Sequence, residues 1–234
     1  VGGGADGNVL PEPAPVAGFT AEEVARAQRQ VKAMLVASRL APAMLERGDA
    51  GAFVRLFAPS GRAHLRTELR REPWPVSLAT RIAPGSRLLP VAPKVRGTMR
   101  AEPGDRQGEL RIRTNYVFAY AFDVDDPSRA RAPLDLVTML RADVSFVLAR
   151  GDRWRKADQG FHFDGSDSFV YSMACGPLRD EGLLAPAYLD QRTGPPSDRR
   201  PPTAGVLRPH PSDPARGLLW SPRGGVSSPR HGAM

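Results

Sequence analysis

The sequence predicts an α+β fold, with N-terminal helices packed on a strongly curved, cone-like antiparallel sheet and disordered termini. Three observations carry that expectation. Residues 108–126, GELRIRTNYVFAYAFDVDD, alternate with period two: Leu110, Ile112, Tyr116, Phe118, Tyr120 and Phe122 fall on one face, and Arg111, Arg113, Asn115, Ala119 and Ala121 on the other. Helical spacing is confined to the first third of the chain. Further alternating runs follow the main strand without intervening helices, which argues against βαβ units.

Residues 1–18 hold five Gly and three Pro among few apolar side chains, the composition of a flexible tether. Thr20-Ala-Glu-Glu23 is a capping box, with Phe19 placed as its hydrophobic staple. Val24, Ala27, Val31, Met34 and Leu35 then form an apolar stripe, and Pro42 stops the helix near Leu40. Asp49 caps a short helix carrying Phe53, Leu56 and Phe57, which Pro59-Ser60 closes. Ser60 caps a third helix over residues 61–71, with Ala63, Leu65 and Leu69 as its apolar positions. Residues 86–102 read as a strand pair or a bent strand, held to a sheet edge by Pro90 and Pro93, which lack a backbone donor.

After the main strand, residues 134–150 alternate again, with Leu136, Thr138, Leu140, Ala142, Val144, Phe146 and Leu148 on one side. Gly151-Asp152 signals a tight hairpin into a strand over 153–164. Phe169, Val170, Tyr171 and Met173 suit a last short strand, and residues 183–188 a closing segment. From 191 to 234, nine Pro and six Gly in 44 residues exclude a core, so the domain is expected over 19–190 and a disordered tail over 191–234.

The formal charge of +8 resembles a nucleic-acid signal until it is located. Seven Arg against Asp198 and Asp213 give the tail 7 − 2 = +5, leaving +3 for the rest. Thirty of the 33 basic residues are Arg, a bias that GC-rich coding produces without phosphate recognition. The tail has no aromatic interleaving, so solvation outranks nucleic-acid binding through it. No run reaches the ~18–20 apolar residues of a membrane span, and a chain beginning at Val1 either followed a removed targeting segment or starts at a GUG codon.

Chemistry-bearing patterns are sparse. Asp123, Asp125 and Asp126 lack the spacing and distal Glu of a calcium loop, and Asp164-Gly-Ser-Asp167 has the same weakness. Cys175 stands alone, with no basic neighbour to activate it. No metal ligand set and no cofactor motif is present. His162 and Asp164 lie two apart on one strand face, as an acid–base pair would, and geometry must decide for or against His162 as a general base. The aromatic face is the best candidate ligand site. Tyr116, Phe118, Tyr120 and Phe146 are ordinary core in most sheets, yet two phenols on an inner face could line a partly polar cavity.

The helical first third, the loop Glu46-Arg-Gly-Asp49 leading to Val54-Arg-Leu-Phe57-Ala-Pro59, and the long meander resemble the nuclear transport factor 2-like cone fold over about residues 19–164. PKVRGTMRAEP (93–103), RTNYVFAYAF (113–122) and YSMAC (171–175) are similar to segments of uncharacterised secreted or lipid-anchored proteins of Streptomyces-type actinobacteria. That resemblance implies an extracytoplasmic module, anchored through a lipidated Cys upstream of a Gly/Ala-rich tether. The chain carries no such Cys, and a start at Val1 would instead make it cytoplasmic. The cone fold hosts isomerases, dehydratases and cyclases that use an inward Asp or His, a role Asp143 or His162 would fill here. It also hosts non-catalytic modules. The expectation is therefore a non-enzymatic cell-envelope module that takes a small apolar ligand or a protein partner, a second copy included, through its cone. An isomerase-type enzyme and an Arg-rich nucleic-acid binder are the alternatives.

Overall fold

A computed structural model describes residues 2–190; the expected tail lies outside the described residues. In chain order the elements are β1 (Gly2–Gly3), α1 (Ala21–Arg39), α2 (Pro42–Arg47), α3 (Gly51–Arg55), α4 (Pro59–Glu68), β2 (Arg87–Leu88), β3 (Lys94–Pro103), β4 (Glu109–Asp123), β5 (Val137–Ala149), β6 (Gly160–Tyr171) and α5 (Cys175–Glu181). Between the two-residue β1 and the closing α5, four helices precede the strands, as the α+β expectation requires.

α1 begins as its capping box dictates: the Thr20 hydroxyl accepts from the Glu23 N–H, and Glu23 accepts from the Thr20 N–H at 2.7 Å. Glu23 is also paired with Arg150 at the end of β5, and Arg150 Nη2 donates to the Gly18 carbonyl. The apolar stripe Val24, Ala27, Val31, Met34 and Leu35 is buried. Pro42 ends α1 and also opens α2, where proline at the first turn removes a donor that had no partner anyway. Pro59 behaves likewise: it opens α4 instead of closing the helix before it, so Ser60 is not the cap. Asp49 Oδ1 accepts from the Gly51 N–H at 2.9 Å, holding the start of α3.

The sheet is antiparallel and open, in the order β1-β3-β4-β5-β6. β2 and β3 pair one after the other along the same edge of β4, as a strand broken by Pro90 and Pro93 must. β4 is the central element, and every second residue from Leu110 to Phe122 is buried, Thr114 included. That face packs with Leu140, Phe146 and Phe161 of β5 and β6 and with the buried stripe of α1 in one core.

Three expectations are corrected. Residues 2–18 are not a free tether: Gly2 and Gly3 pair with Val95 and Lys94, and Asn8 is fully buried. The β5–β6 connection is not a tight hairpin at Gly151-Asp152. Trp154 N–H turns back to the Gly151 carbonyl, Arg155 pairs with Asp158, and Arg106 stacks over Trp154, so the polar alternation of 153–158 is spent in a loop. β6 then starts at Gly160 and runs unbroken to Tyr171, absorbing Asp164 as a bulge opposite Ser145 and Phe146. The closing segment is where expected, with Leu183, Leu184 and Ala185 buried and Leu184 bridged to Ile82.

Candidate functional site

The inner aromatic face is closed. Tyr116, Phe118 and Tyr120 are 0% exposed and Phe146 1%. Both phenols have protein partners. Tyr116 donates to the Val9 carbonyl at 3.3 Å, so the N-terminal segment covers this end of the face. Tyr120 donates to the Arg39 carbonyl at 3.0 Å and lies 3.2 Å from Thr80 Oγ1. Burial raises the pKa of both, that of Tyr120 to about 12. The four residues singled out as a ligand site are thus brought together by β4 and β5, and they pack as core.

Beside them sits a residue the sequence reading passed over. Arg39, the last residue of α1, is completely buried. Its guanidinium donates to the carbonyls of Val76 and Ser77, each at 2.6 Å, and to Thr80 Oγ1 at 3.1 Å. Desolvation lowers its pKa to about 10, which leaves it charged at neutral pH. Carbonyl dipoles replace a carboxylate here, and the fork ties residues 76–80 to α1. It is a structural clamp.

Asp143 lies on the opposite face of the sheet, between Asn115 and Asp167 in the cross-strand register, and pairs with Arg141 at 2.9 Å. His162 Nε2 is 2.7 Å from the Asp158 carbonyl, an acceptor that fixes the proton on Nε2. The ring thereby anchors the β5–β6 loop. Neither group points into the aromatic interior, and the two do not meet. Among the described residues no group of three or more His, Cys, Asp or Glu could hold a metal ion.

An open cleft of about 1060 Å³ runs between the ends of α1 and α2 and residues 82–93. Val36, Leu40, Leu45, Ile82, Leu88 and Leu89 line it, with Glu46 and Arg87 as its charged groups. Arg87 is already engaged by Asp123 and Asp125. None of the four aromatic candidates reaches it.

The outer face of the sheet is different in kind. Its lower end is self-satisfied: Arg111 bridges Asp105 at 2.7 Å and Asp164 at 3.0 Å, Arg113 pairs with Glu102, and Ser145 donates to Asp164 at 2.8 Å. The hydrogen bonds of Arg111 hold the Asp105 carboxyl below the usual carboxylate range. The upper end carries no such mesh. There the register sets Arg96, Val117, Arg141 and Phe169 in one row and Lys94, Ala119, Met139 and Tyr171 in the next. Phe169 is 58% exposed and Tyr171 40%, with ring centroids 4.5 Å apart. Val117, Ala119 and Met139 continue from the aromatic pair as half-buried apolar surface. Two exposed aromatics that prefer each other to water, on an edge strand, form a surface ready for burial.

Comparison with known proteins finds no matching family model, no matching curated protein and no matching solved structure.

Proposed function

We propose that the chain is a non-enzymatic binding module that engages a protein partner through the upper outer face of its sheet, not through the interior of its fold. The observation that supports this reading is the exposed Phe169–Tyr171 pair, continuous across the sheet with Met139, Ala119 and Val117. Exposed apolar area of this kind is costly in water and gains on being covered, at about 25 cal/mol per Å². The interior offers no comparable place, because its aromatic face is already filled. A cell-envelope setting is part of the same proposal and rests on the sequence resemblance alone. Within the described residues no helix is long and apolar enough to cross a membrane.

The test is titration of the full chain with the apolar dye bis-ANS, comparing wild type with F169S/Y171S. The expected result is a several-fold loss of bound-dye fluorescence with unchanged far-UV circular dichroism. Fluorescence equal to wild type would show that the strip is not the adhesive surface.

A further inference from the structure

The charges around the apolar strip restrict what can cover it. On β3, beside the short β1 that pairs with it, Lys94 and Arg96 are exposed, and neither forms an ion pair among the described residues. At the β6 edge stand Phe169 and Tyr171. Three inter-strand spacings, ~14 Å, separate the two ends. Between them Arg141 is neutralised by Asp143 at 2.9 Å, and Asp167 accepts from the Ser168 N–H at 2.8 Å. The strip thus has an apolar centre beside the Arg141–Asp143 pair, an aromatic end flanked by the Asp167 carboxylate, and two cations without an ion partner at the other end.

Given the reading of this face as the binding surface, on which the inference rests, we infer that its partner is an acidic, apolar protein segment. It sets apolar side chains on Phe169 and Tyr171 and Asp or Glu carboxylates over Lys94 and Arg96. A span of ~14 Å is about four residues of extended chain or nine of helix, so one continuous segment can make both contacts. Two other occupants fit less well. A nucleic acid would bring phosphates against Asp143 and Asp167, which stand opposite each other beside Phe169 and interrupt the basic track. A second copy would bring its own Lys94 and Arg96 into the same interface and add to the uncompensated charge.

The experiment is selection of a phage-displayed random 12-residue peptide library on the immobilised full chain. Binding of an enriched synthetic peptide is then measured to wild type, F169S/Y171S and K94E/R96E. The expected outcome is enrichment of peptides that combine Asp or Glu with aromatic or aliphatic residues. Affinity should fall roughly tenfold or more in each variant, and with added salt for the wild type. Binding lost in F169S/Y171S but unchanged in K94E/R96E overturns the acidic partner and leaves the face standing. Absence of enrichment, or binding unchanged in both variants, overturns the face as well. Two controls complete the test. A light-scattering mass twice that of the chain, returned to monomer by F169S/Y171S, would make a second copy the occupant. Anisotropy showing oligothymidylate bound by wild type and released by K94E/R96E would make it single-stranded nucleic acid. Either result overturns the inference.

Discussion

Tyr120 of β4 donates its phenolic hydrogen to the backbone carbonyl of Arg39, at 3.0 Å and 81 residues away in sequence. The end of α1 is thereby locked to the middle of the sheet at the spot where a ligand cavity could have opened. Tyr120→Phe should cost about 1–2 kcal/mol in urea denaturation, because the carbonyl stays buried without that donor. Burial raises the phenol to about 12, above its ordinary value of 10.0. The stability it confers is therefore fully present below pH ~10 and lost as pH rises through about 12. Ultraviolet titration should show one tyrosine step near 12 that Tyr120→Phe removes; an unchanged titration curve would contradict the assignment.

Arg39→Met should be more damaging, about 3 kcal/mol, since it strips donors from the carbonyls of Val76 and Ser77 and from Thr80 in a dry site. Arg39→Lys should recover only part of the loss, because an ammonium cannot reproduce the two-pronged geometry. Equal stability of the Lys variant and wild type, read from thermal melts, would show that charge alone suffices.

Gly97 faces β4 with no room for a side chain. A Cβ there would meet the Asn115 carbonyl oxygen at 2.2 Å and Tyr116 Cα at 2.6 Å, both backbone atoms that cannot yield cheaply. Gly97→Ala should destabilise by roughly 1–3 kcal/mol, with hydrogen exchange accelerated first in β3. A neutral substitution would mean that the two strands lie farther apart than described.

At the start of α1, Thr20→Ala removes one half of the capping box and should cost about 1 kcal/mol. Asp143→Asn should change stability by less than ~0.5 kcal/mol, because its pair with Arg141 is solvent-exposed. A much larger effect of Asp143→Asn would point to a role for that carboxylate beyond the pair.

Much of the fold was legible because β4 and α1 have long, uninterrupted periods: seven alternate buried positions from Leu110 to Phe122 in the one, a five-residue apolar stripe in the other. α2 and α5, six and seven residues long, are too short to show a period and went unread. Gly2 and Gly3 have no side chains to announce a strand, so their pairing with β3 was invisible. Trp154, Lys156 and Asp158 imitate one side of a strand, yet they lie in a loop closed by the Arg155–Asp158 pair and by the Trp154 N–H on the Gly151 carbonyl, which displaced the predicted start of β6. The candidate site was half legible. Tyr116, Phe118, Tyr120 and Phe146 do share one face, but only Arg39, Thr80 and Val9, distant in sequence, reveal that it is sealed. Phe169 and Tyr171 were recognisable as strand residues. That Met139, Ala119 and Val117 lie beside them depends on a register no single segment encodes.

The proposed adhesive surface is the outer face of the sheet, and the competing places are the interior and the cleft beside residues 82–93. Photo-incorporation of bis-ANS into the full chain, followed by peptide mapping, separates these directly. Label is expected on peptides from β5 and β6, at Met139, Phe169 and Tyr171. Label concentrated on Leu88, Leu89 and the end of α1, with β6 unmodified, would contradict it and place the binding site in the cleft.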